Sequence, residues 1–207
     1  MFQPCFVDLI SVLSEIVVGI SAVVAIIAGI FGFRKWRTEL RDKVGLELAL
    51  KIALLAQEFR DKFNWVRNPF TYRSEIAERQ KGDHETNERD WKKDAYFAKA
   101  NRLRSLQETV TNLRVARWEA ELILDEGIGK LIEPIEGAFR ELSKAINEYF
   151  SFQLEASTRT RREAGWDSTR DRSVYLTVYS MPGDEFGESV DDAVNALLEE
   201  LKRHIKR

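Results

Sequence analysis

Apolar residues follow two patterns in this chain. One is an unbroken block near the N-terminus, and the other is a set of long runs in which Leu, Ile, Val and Phe return every three or four positions. The block, residues 16–33, reads IVVGISAVVAIIAGIFGF and carries no charge. As a helix it would be about 27 Å long, against roughly 30 Å for the hydrocarbon core of a bilayer. The block therefore predicts a transmembrane anchor, with a buried core helix as the alternative. No Lys or Arg precedes Arg34, so the segment lacks the basic start of a cleavable signal peptide.

Asp8 and Glu15 precede the block, and Arg34, Lys35, Arg37, Arg41 and Lys43 follow it. That asymmetry predicts an N-terminus outside and a C-terminus in the cytoplasm, with Arg34, Lys35, Trp36 and Arg37 at the membrane interface. Ser21, Ala25 and Gly29 recur every four residues, and Ala28 with Gly32 repeats the spacing on a neighbouring face. Such strips pack transmembrane helices together and predict a homo-oligomer; small residues are also common in membrane helices for no specific reason.

Downstream, Leu40, Val44, Leu48, Ile52, Leu55, Phe59, Phe63 and Val66 mark one face of a long helix ending near Pro69. Residues 68–88 lose the periodicity. Leu103, Leu106, Val110, Leu113, Ala120 and Leu124 mark a second helix over about 89–125, with Arg117 interrupting the seam. A third helix follows residues 127–129, carrying Ile132, Ile135, Phe139, Leu142, Ile146 and Tyr149, with Pro134 expected in its first turn. Residues 173–180, SVYLTVYS, alternate apolar and polar positions and predict a short strand. Val190, Val194, Leu197, Leu201 and Ile205 close the chain with an amphipathic helix. The fold class expected is mainly α: residues 1–33 as tail and anchor, 34–157 as a cytoplasmic bundle of long antiparallel helices, and 158–207 as linker, extended segment and final helix.

Composition narrows the chemistry. In 207 residues there is room for one anchor and one domain, and 32 Lys plus Arg against 34 Asp plus Glu gives no net basic charge for nucleic acid. One cysteine, Cys5, and two histidines, His84 and His204, provide no metal-ligand spacing, and no phosphate or dinucleotide loop is present, so no metal or cofactor is expected. The partners expected are the lipid bilayer, further copies of the chain and a cytosolic protein.

Arg79-Gln80-Lys81-Gly82-Asp83-His84 forms an Arg-x4-His sequence that resembles the motif of HEPN ribonucleases, although Gln80 stands where the family usually has Asn, Asp or His. The resemblance implies that Arg79 and His84 act on an RNA phosphodiester. The layout, an N-terminal anchor before a helical domain, is similar to that of the small membrane accessory protein of type VI-B CRISPR systems, which implies an oligomeric assembly in antiphage defence. A passive tether that recruits a cytosolic partner is the second expectation, and a ribonuclease the third.

Overall fold

The computed structural model describes residues 4–80, 82, 87–124, 126–155 and 168–205; side chains are described for all of these except 4–20, 22–24, 87–90, 152–155 and 168–171. Six helices follow one another among them: α1 (Pro4–Arg67), α2 (Arg73–Ile76), α3 (Asn87–Ile123), α4 (Glu126–Glu155), α5 (Ser168–Val178) and α6 (Glu185–Ile205). The chain divides into two compact units, Met1–Val44 and Gly45–Arg207.

In the first unit the described backbone, residues 4–44, is helical, and Ser21 and residues 25–44 are all exposed. Among the described residues no helix is long and apolar enough to cross a membrane. This overturns the predicted transmembrane anchor, and with it the single-pass placement with an outer N-terminus and a cytoplasmic C-terminus. The uncharged run with described side chains, residues 25–33, spans about 14 Å of helix, half a hydrocarbon core. At Arg34 the same helix turns polar without a break.

The second unit is a helical bundle. Along α1, Leu48, Ile52, Phe59, Phe63 and Val66 are buried as their spacing predicts, whereas Leu40 and Val44 belong to the first unit and are exposed. The helix stops at Arg67 because Pro69 disfavours helical geometry before it, and Asn68 N–H folds back to Trp65 O at 3.2 Å. Lys51 meets Glu119 at 2.8 Å, Thr109 donates to Glu58 at 2.9 Å and Lys99 to the Val66 carbonyl at 2.6 Å. Numbers that fall along α3 while rising along α1 make the pair antiparallel. α3 and α4 form an antiparallel hairpin, joined by Arg117–Glu133 at 2.7 Å, Arg114–Glu136 at 3.3 Å and the ring pair Tyr96–Phe150. α5 and α6 both pack on α4.

Two local expectations are corrected. Among the described residues there is no strand, and the segment predicted as one, 173–180, lies largely in α5. Its alternation is also compatible with a helix, since Val174 and Val178, and Tyr175 and Tyr179, are each four apart. The helix buries Val178 and sets Tyr175 and Tyr179 against Tyr149 of α4, with ring centroids 6.1 and 5.6 Å away. Pro134 is not in a first turn but inside α4. Ile128, Ile132 and Ile135 keep one helical face and are all buried, so tertiary packing carries the helix through a residue that costs about 3 kcal/mol in an isolated helix.

Candidate functional site: a buried cationic junction

The chemically densest place in the second unit is where α1 and α5 both end. Three cations are buried there: Arg67, Lys99 and Arg102. Arg67 donates from Nε to Thr177 O at 2.9 Å and from Nη2 to the carbonyls of Leu176 at 2.6 Å and Tyr179 at 3.1 Å, while Nη1 faces the Asp184 carboxylate. Its guanidinium lies between the rings of Phe63 and Phe186. Lys99 Nζ donates to Val66 O at 2.6 Å, Asn68 O at 3.0 Å and Val178 O at 3.4 Å, and sits 4.3 Å from the centre of the Tyr179 ring. Arg102 grips both oxygens of Glu75 at 2.6 Å, reaches the carbonyls of Trp65, Asn68 and Phe70, and stacks on Trp65.

This geometry answers a backbone need. The last carbonyls of a helix have no intrahelical donor and form the negative end of its dipole. Here two such ends meet, and three buried cations supply the donors. Burial, followed by the charges of Arg102 and Arg67, pulls the Lys99 ammonium down to about 7. Hydrogen bonding from Arg102 holds the Glu75 carboxyl below its usual range. Burial pushes the Tyr179 phenol well up, with Tyr149 adding to it.

A lysine titrating near neutrality is a familiar nucleophile or base when it faces a cleft. Lys99 faces three carbonyls and a ring instead, so the junction is built to hold helix ends together. Lys99, Arg102 and Leu106 are spaced three and four apart on the buried face of α3. Two cations in a mostly apolar seam, just before the apolar run that begins at Leu103, are the sequence signal for this junction.

The residues singled out from sequence fall elsewhere. Arg79 is ion-paired with Asp94 through Nε at 2.5 Å, and its side chain is largely buried. His84, the other half of the Arg-x4-His sequence, lies outside the described residues. Ser21, Ala25, Ala28, Gly29 and Gly32 are exposed on α1, and a Cβ added at Gly29 or Gly32 would meet nothing within 4 Å. Arg34, Lys35, Trp36 and Arg37 are exposed too, with Trp36 against Phe33 at 5.9 Å. Glu15 has no described side chain.

Among the described residues no group of His, Cys, Asp and Glu converges as a metal site. A groove of about 440 Å³ runs past Arg172, Thr177, Met181, Asp184 and Phe186. Its partly buried acid, Asp184, is already committed to Arg67. In comparisons with known proteins, no family model matches the chain, and neither a curated protein nor a solved structure matches it.

Proposed function

We propose that this chain is a self-associating helical module, in which the exposed apolar stretch of α1 joins copies and the bundle is the part so assembled. One observation carries the reading. Ile26, Ile27, Ile30, Phe31 and Phe33 are all exposed, at 49 to 68 %, within a run that holds no charge from residue 25 to 33. A helix apolar all round is a buried helix, and a contiguous exposed apolar patch of this kind marks an interaction surface. A second copy presents the same surface, and Gly29 and Gly32, with open space around them, allow two backbones to approach closely.

Sedimentation equilibrium of the full chain tests this. The wild type is expected to be oligomeric at micromolar concentration. The triple variant Ile26→Gln, Ile30→Gln, Phe33→Gln keeps its helical content and becomes monomeric, because it polarises one face without touching the bundle core. A wild type that is monomeric up to about 100 μM would overturn the reading, since that concentration corresponds to less than about 6 kcal/mol of association free energy. Flotation with phospholipid vesicles in place of self-association would overturn it as well.

A further inference from the structure

We infer that copies of this chain also pair through two charged helix stripes of matching spacing: Arg34, Arg37 and Arg41 of α1 in one copy against Glu185, Glu188 and Asp192 of α6 in another. The inference rests on the self-association reading for the existence of an oligomer, and adds the surface that sets which parts of two copies meet.

All six side chains are exposed, and among the described residues no ion pair reaches any of them. Each set is spaced three and then four apart, which places its charges on one helical face, about 4.5 and 6 Å from one another along the axis. Like charges at this spacing repel, so each stripe is electrostatically unfavourable until an opposite charge covers it. The two stripes fit each other in sign, number and rise.

The surroundings reinforce the match. Residues 34–43 carry five Lys or Arg against Glu39 and Asp42, and Glu39 is engaged by Lys35 at 3.9 Å, which leaves the arginines unbalanced. Residues 185–192 carry four acids and no base. The positive end of the α6 dipole accounts for Glu185 and Glu188 in the first turn, but Asp192 lies beyond its reach. The arginines sit in the middle of α1, where no helix end exists to favour them. The pairing joins two different surfaces, so the same contact made twice closes a symmetric dimer, and made once per copy it propagates.

Reversing the charges separates this pairing from apolar association. One full-length variant carries Arg34→Glu, Arg37→Glu and Arg41→Glu, and is acidic on both stripes. The other carries Glu185→Lys, Glu188→Lys and Asp192→Lys, and is basic on both. Circular dichroism melts establish that each is folded, and sedimentation velocity reads association of each alone and of the equimolar mixture. Each variant alone is expected to associate about tenfold or more weakly than wild type, since three exposed pairs of modest strength become three repulsions, while the mixture recovers wild-type association. Raising the salt to about 0.5 M should shrink the difference, because exposed charges are screened. Two variants that each associate like wild type would overturn the charged pairing and leave the apolar reading standing. Variants weakened alone and not restored by mixing would overturn it too. A monomeric wild type would overturn both.

Discussion

Lys99 is gripped by carbonyls from two helix ends, and two of its contacts, to Val66 O and Asn68 O, are short enough to be kept by a neutral amine with two N–H groups. Its proton is therefore the negotiable part. In the folded chain the ammonium loses its proton at about 7, against 10.5 when free. Between those values the unfolded chain binds more protons, so Lys99 makes stability rise with pH across the window and contributes nothing to the slope below it. Urea unfolding at pH 7 and pH 9.5 should show the wild type gaining stability relative to Lys99→Met, whose slope is flatter; equal slopes would place the Lys99 titration elsewhere. Two glycines give a second test. A Cβ at Gly187 would stand 2.6 Å from Asp184 Oδ2 and 2.9 Å from Arg67 Nη1, whereas at Gly137 it would meet only Arg140 Nη2 at 3.9 Å. Both lie inside helices, where alanine is ordinarily better by about 0.5–1 kcal/mol. Gly137→Ala should realise that gain in thermal melts, while Gly187→Ala should destabilise by about 1–3 kcal/mol by forcing apart a buried ion pair.

Among the elements, those set by apolar spacing alone were legible. The ends of α1 and α3 and the buried positions of α6 follow from periodicity and a single proline, because burying one face of a helix outweighs every local preference along it. The same dominance explains Pro134, whose local chemistry argued for a helix start and was overridden by Ile128, Ile132 and Ile135. α5 was illegible for a different reason: a short segment with tyrosines and β-branched residues satisfies a period of two and a period near four equally well, and only Tyr149, distant in sequence, decides between them. The transmembrane expectation failed because an apolar composition states what a segment avoids and not what covers it. The junction was hidden because buried cations are read as surface until the carbonyls that need them are located. Arg102 ties the chain after α1 to α2 through Glu75 and the carbonyls of Trp65, Asn68 and Phe70. Arg102→Gln should cost about 3–5 kcal/mol, the usual result of leaving one buried partner uncompensated, with hydrogen exchange in residues 70–76 rising more than in α4. It should also release the Glu75 carboxyl toward its ordinary range and so remove stability that the wild type loses as the pH falls below that range.

For the molecule as a whole, contacts differ widely in how much chain they enclose. The α3–α4 hairpin is closed by pairs 16 and 22 residues apart, whereas Arg67 meets Thr177 across 110. Closing a longer loop costs more entropy, and a contact that encloses most of the bundle is rewarded only after the helices within it have formed. The Arg67 lock should therefore be absent from the folding transition state and be the first thing broken on the way out. Stopped-flow chevrons of Asp184→Asn should show an unfolding limb raised by nearly the whole loss of stability and a folding limb left in place, a φ-value near zero; Leu113→Ala, within the hairpin seam, should slow folding instead. A clasp that forms last regulates lifetime and not assembly. With chevrons of that form, the guanidinium at the end of the first helix would bear on how long the native bundle persists and hardly at all on how fast it forms.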